Sequence, residues 1–270
     1  MNFRLRLLLA LVLARSAEAT RLTPAAAGAF DHYIQVTEDR MRETLHPEGF
    51  LYLDSHPDIK ERVRSGEIVI ESRTTLENGQ PIRIPDAQIQ DWLGMAFFPN
   101  TTLARVRSTL QDYPNYKNYY RPEVIEATIK ARQGDEYDIF LRLYKHHIIT
   151  VVLNTDYHVR FATLDAHRIY SISHSTRIAE VKNPKRGYDI EAPVGNDTGF
   201  LWRLNAYWRF EEADGGVYAQ CQAISLSRDT PFGLGWVING FLQRFPKESM
   251  TITLTGTRNA VGGNNSTASP

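Results

Sequence analysis

Apolar and polar residues alternate with a period of two along most of the second half of this chain, the signature of strands with one face buried. The pattern runs through Ile89–Phe98, Val124–Ala131, Tyr137–Lys145, Ile148–Tyr157 and Arg168–Val181. It returns as a pair, from Trp202 to Phe210 and from Val217 to Ser227, around a turn placed at Glu211–Gly216. Short turns such as Gln133-Gly134-Asp135 join consecutive strands, which predicts an antiparallel meander of about six or seven strands.

Helical spacing occurs elsewhere. Thr23-Pro24 reads as an N-cap and first-turn proline, and Ala26, Phe30, Tyr33, Thr37, Met41 and Leu45 then recur at three- and four-residue steps. Asp58–Arg64 reads as a short charged helix, Glu67–Thr74 as a strand, and Glu77-Asn78-Gly79 as a turn. Leu103, Val106 and Leu110 mark the inner face of a helix after Pro99-Asn100. A Gly-rich link, Thr230–Trp236, leads into a C-terminal helical segment ending near Val261, with a kink or restart expected at Pro246. A sheet this long curves, and one long helix is available to cover its concave side.

Face assignment then gives candidate interior residues. Trp202, Leu204, Ala206, Trp208 and Phe210 share a face, and a turn at Glu211–Gly216 sets Trp208 opposite Ala219 and Ala206 opposite Cys221. The small residues Ala206, Ala219, Cys221 and Ala223 form a strip between large ones, which either a descending helix fills or a ligand occupies. Ile125, Ala127, Ile129 and Ala131 form a second face. Tyr137, Ile139, Leu141 and Leu143 form a third, and Ile149, Val151 and Leu153 a fourth. Counting by twos from Tyr170 puts Ile172, His174, Thr176 and Ile178 together, with His174 and Thr176 as polar groups aimed inward. Trp236, Phe241 and Phe245 read as packing beneath the helix or as a rim at a cavity mouth in transient contact with membrane.

Composition narrows the function classes. Lys and Arg total 31 against 31 Asp and Glu, so no charge imbalance points to nucleic acid or an anionic membrane. One cysteine, Cys221, rules out an intrachain disulfide and a cysteine metal cluster. Residues 1–19 carry Arg4 and Arg6, the apolar run Leu7–Ala14 and an Ala17-Glu18-Ala19 cleavage site, an export signal releasing a periplasmic or secreted soluble chain at Thr20. A frayed amphipathic N-terminus is the plainer alternative. The domain plan is therefore signal 1–19, helical extension with a hairpin 20–85, main domain 86–261 and a tail 262–270.

Two stretches carry a family resemblance. Leu103–Tyr120, LARVRSTLQDYPNYKNYY, followed by RPEVIEATI, and YWRFEEADGGVYAQCQAISLSRDTPFGLGWVINGF further on, resemble the START/SRPBCC (helix-grip) superfamily, whose relatives include polyketide cyclase-like and coenzyme-Q-binding proteins. The resemblance covers about Ile89 to Val261. It implies an α+β fold with a curved antiparallel sheet wrapped around a long C-terminal helix, and a lipid or hydrophobic small molecule as partner.

Chemistry is sparse. No nucleophile elbow, P-loop, H-E-x-x-H or EF-hand loop occurs, and the Gly233–Gly235 G-x-G lacks the context of a dinucleotide site. The histidine spacings point to no metal, and no cofactor is implied. The expectation is a binding protein, with ligand contacts at Ile125, Ile129, Leu141, Val151, His174, Thr176, Trp202, Leu204, Ala206, Trp208, Ala219, Cys221, Trp236 and Phe241. Two alternatives stand beside it: a cyclase- or hydrolase-like enzyme using His174, and an envelope or membrane interaction module using the Trp236–Phe245 rim.

Overall fold

The computed structural model describes residues 20–146, 150–229 and 244–263. Among these, eight strands form one antiparallel sheet: β2 (Val69–Ser72), β5 (Ala87–Pro99), β6 (Val124–Gln133), β7 (Glu136–His146), β8 (Thr150–Asp165), β9 (Arg168–Glu180), β11 (Arg203–Ala213) and β12 (Gly216–Arg228). The spatial order is β2-β5-β12-β11-β9-β8-β7-β6. Two small pairs lie outside it, β1 (Thr20–Arg21) with β10 (Asn196–Asp197), and β3 (Leu76–Glu77) with β4 (Gln80–Pro81). The helices are α1 (Pro24–Glu43), α2 (Pro57–Arg64), α3 (Leu103–Leu110), α4 (Tyr116–Tyr119) and α5 (Arg244–Val261).

One helix fixes the curvature. Met250 of α5 lies against Gly94 of β5, while Ser249 is hydrogen-bonded to Lys145 of β7. Those strands are five neighbours apart in the sheet, about 24 Å if it were flat at ~4.8 Å per strand. A helix with its side chains is only about 10–12 Å across. The sheet therefore curls around α5, its edges unjoined, and the architecture is the helix-grip fold.

Side-chain size decides how the space inside the curl is used. At one end Phe98, Phe210, Val217, Tyr137 and Val106 pack into a closed core with Leu254 of α5. Toward the other end the inward positions shrink to Ala206, Ala223, Cys221, Ser171 and Ser173, and the space stays open.

The outer face of β5, β12 and β11 is covered by the N-terminal segment. Ala26, Phe30, Tyr33 and Ile34 of α1 bury against Trp202, Tyr207, Ile224 and Leu226, and Ile59 and Val63 of α2 bury with Leu93, Met95 and Phe97. Polar ties reinforce the contact. Tyr33 donates to Asp91 at 2.8 Å and accepts from the Thr75 amide at 2.7 Å. Arg209 donates to the carbonyls of Met41 and Phe50, both at 2.7 Å, so a sheet residue holds the C-terminal end of α1. Residues 20–85 thus supply both an edge strand and an outer layer.

Several expected details change. The β11–β12 hairpin turns tightly at Asp214-Gly215, both with positive φ (53° and 77°), so Trp208 faces Cys221 and Ala206 faces Ala223. That is two residues from the expected register, and a shift of two leaves each side chain on its face. Strand β8 continues past Tyr157 to Asp165, because Val159 and Phe161 prolong the alternation into the packed end. The described part of helix α5 runs unbroken from Arg244 to Val261 with Pro246 inside it, so the helix does not restart at Lys247.

Two glycines seat α5. A Cβ on Gly256 would lie 2.3 Å from the Tyr119 carbonyl oxygen, and one on Gly94 would lie 2.6 Å from Met250 Cγ. Gly256→Ala should therefore lose about 1–3 kcal/mol of stability through overpacking, although helix propensity alone favours alanine by about 1 kcal/mol. Urea denaturation checks this, and a gain in stability would contradict the close seat of α5 on α4.

Candidate functional site

The open part of the curl is a cavity of about 320 Å³ between the sheet and α5. Its walls are mainly apolar. Leu141, Leu143 and Leu153 come from β7 and β8, Leu204, Ala206 and Trp208 from β11, Cys221 and Ala223 from β12, and Met250 from α5. Trp92 closes it on β5, and Tyr113, Tyr116 and Tyr120 close it from the α3–α4 side. Tyr116 donates to the Leu110 carbonyl at 2.5 Å and Tyr120 hydrogen-bonds Thr257 at 3.0 Å, so both rings are fixed from behind.

One wall is charged. Lys145, at the end of β7, forms an ion pair with Glu123, just before β6. Lys145 Nζ donates to Ser249 Oγ at 2.6 Å, and Ser249 donates in turn to Glu123 Oε1 at 3.0 Å. All three residues line the cavity. Burial pulls the Lys145 ammonium below its ordinary range, opposed by attraction to Glu123. Desolvated charges are costly to hold, and a buried pair is a poor source of stability. Here it presents donors and an acceptor at the edge of a mainly apolar chamber whose other polar lining, such as Gln88, Gln90, Ser171 and Ser225, is uncharged.

The remaining titratable groups on the wall are quiet. Burial drives the Cys221 thiol well above the usual range, so it stays protonated at neutral pH. The same cause pushes Tyr120 and Tyr157 up to about 12. Among the described residues no histidine lines the cavity, and no group of three His, Cys, Asp or Glu side chains could hold a metal ion. No described helix is long and apolar enough to cross a membrane.

Of the residues singled out from sequence, Leu141, Leu204, Ala206, Trp208 and Cys221 meet on the cavity wall. The others are placed differently. Ala219 is buried in the packed end opposite Phe210, and Val151, opposite Lys145 on β7, is buried in the cluster around Leu153 without lining the cavity. Trp202 precedes β11 and belongs to the outer cluster under α1, its indole N–H donating to Asp197 at 3.1 Å. Ile129 lies on the edge strand and is exposed (39%). Ile125 occupies an irregular step of β6, between the partners of Val124 and Glu126, so Val124 takes the wall position instead. Trp236 and Phe241 lie outside the described residues, as does the export signal.

The correction at β9 matters most. Tyr157 pairs with Ser175 but Asp156 pairs with Arg177, so Thr176 is an extra residue in β9 and is exposed. That bulge inverts the parity of the strand. Ile178 faces inward as counted, whereas Ser171 and Ser173 reach the cavity and His174 projects to the opposite face. There its Nε2 hydrogen-bonds Glu38 of α1 at 2.6 Å.

Sequence reasoning left out the charged wall. The signal was available for Lys145, which continues the inward series Tyr137, Ile139, Leu141 and Leu143 by two. It was unavailable for Glu123, which the β6–β7 pairing sets beside Lys145, and for Ser249, which joins them through the packing of α5.

No protein-family model matches the chain, and no curated protein sequence does. Solved structures do resemble it. One is a STAR-related lipid transfer protein from Xanthomonas axonopodis, at 13% identity and TM-score 0.46 over 72% of this chain and 98% of that one. Another is the protein TTHA0849 from Thermus thermophilus, at 14% identity and TM-score 0.44 over 66% and 97%. Human STARD10 matches at 11% identity and TM-score 0.41 over 77% and 80%. At these identities the likeness concerns the fold alone.

The charged wall makes a double-mutant prediction. Lys145→Met should cost about 3 kcal/mol by stranding Glu123, and Lys145→Met with Glu123→Leu should recover most of it. Chemical denaturation of the three proteins checks this. An equal loss in the double variant would show that a stranded Glu123 is not the source of the cost.

Proposed function

We propose that this protein binds an amphipathic small molecule or lipid in the cavity between the sheet and α5, without transforming it. The carrying observation is an apolar chamber of about 320 Å³ with one charged wall, Lys145–Glu123–Ser249. An apolar body covers the leucines, Trp208 and Met250. A hydroxyl or carboxylate at its end replaces water at Lys145 and Ser249. Burying on the order of 400 Å² of ligand surface yields roughly 10 kcal/mol gross. Association costs of at least ~4 kcal/mol leave an affinity on the order of tens of micromolar before any head-group contact.

The enzyme reading loses its nominated residue, since His174 faces away from this cavity. Among the described residues, the only groups on the wall suited to general acid–base work at neutral pH are a lysine and a glutamate already bound to each other. Export belongs to the same reading and rests on the sequence of residues 1–19 alone.

Ala206 faces Ala223 across the wall, so a larger side chain there occupies the ligand's volume. Titration with the fluorescent fatty acid cis-parinaric acid should saturate for the parent protein and weaken at least tenfold in Ala206→Phe. The exposed change Ile190→Ser should leave it unaltered. No saturable binding, or unchanged affinity in Ala206→Phe, would reject the proposal.

A further inference from the structure

We propose that a second cavity, beneath the C-terminal half of α1 on the outer face of the sheet, binds a small oxyanion: the carboxylate or phosphate group of a metabolite. This site lies on the opposite face of the sheet from the ligand cavity, with Ser171 and Trp208 in the wall between them.

The outer cavity measures about 220 Å³. Three arginines contribute to its wall, Arg42 from α1, Arg160 from β8 and Arg209 from β11, against one carboxylate, Glu38. Glu38 is already engaged, since its Oε1 accepts from Tyr207 at 2.7 Å and meets His174 at 2.6 Å. Those hydrogen bonds keep its carboxyl below the usual range although burial, the largest influence, acts the other way. His158, also on the wall, is paired with Asp138 at 2.8 Å, and Arg42 is paired with Asp39.

That leaves two cations without a carboxylate. Arg160 is exposed and forms no ion pair among the described residues. Arg209 is buried, and its hydrogen bonds go to neutral oxygens only, the carbonyls of Met41 and Phe50 and the hydroxyl of Thr44. Such bonds orient the guanidinium but do not neutralise it. Desolvation pushes its pKa down to about 10, the mark of a cation short of counter-charge. An oxyanion entering between Arg160 and Arg209 supplies that charge and accepts their planar donors. Met41, Leu45 and Ile172 complete the cavity and admit a short apolar substituent.

The test is an NMR titration of the full chain at low salt and neutral pH, with inorganic phosphate in one series and acetate in another. Saturable shifts confined to the amides of Tyr170–His174 and Tyr207–Arg209 are expected, with the methyls of Leu141 and Leu204 unmoved. Arg160→Gln, an exposed change that spares the fold, should weaken the binding at least tenfold. Saturation by one probe alone names the oxyanion, and saturation by both means that either group is accepted. Saturation by neither, shifts scattered over the surface, or equal affinity in Arg160→Gln would overturn the site.

Discussion

The seat of α5 controls the shape of everything around it. Gly256 lets its backbone press on Tyr119, Gly94 lets Met250 reach the β5 backbone, and Ser249 ties it to Lys145 on the far side of the sheet. A helix held by both β5 and β7 requires the sheet to curl. Once the sheet is curled, the volume inside is fixed by the backbone, and the side chains decide how much of it they fill. Phenylalanines at positions 98 and 210 close one end. Alanine, cysteine and serine on β9, β11 and β12 leave the other end open.

A cavity in a protein interior gives up dispersion contacts, so it must be stabilised from elsewhere. Here the support comes from outside the curl. Strands β5, β12 and β11 carry apolar residues on both faces, and the N-terminal helices bury the outer one. Arg209 and Asp91, buried polar groups of those strands, hold α1 and the loop after it through directed hydrogen bonds. The N-terminal segment therefore acts as a brace for a sheet whose other face is only half packed.

Much of the fold was legible in the residues. Period-two alternation located each long strand of the meander, and Thr23-Pro24 located the start of α1, with Thr23 accepting from the Ala26 amide at 3.1 Å. The site was legible only where alternation runs unbroken. Leu204, Ala206 and Trp208 follow it, and so does Cys221, because the error in hairpin register was even. At β9 a single extra residue, Thr176, inverted the count and sent His174 to the wrong face. A bulge leaves no mark in a pattern of hydrophobicity, since its cause lies in the strand alongside. The Lys145–Glu123–Ser249 wall is similarly a product of tertiary packing, joining residues 126 positions apart between Glu123 and Ser249.

In the proposed function the space between the sheet and α5 holds the apolar part of a ligand while Lys145 meets its polar end. Isotope-filtered NOE spectroscopy on methyl-labelled protein with an unlabelled long-chain fatty acid tests this most directly. Intermolecular NOEs are expected from the acyl chain to the methyls of Leu141, Leu204 and Met250, with protons beside the carboxyl nearest Lys145. NOEs confined to exposed residues such as Ile190 and Val194, or none from the cavity methyls, would contradict it.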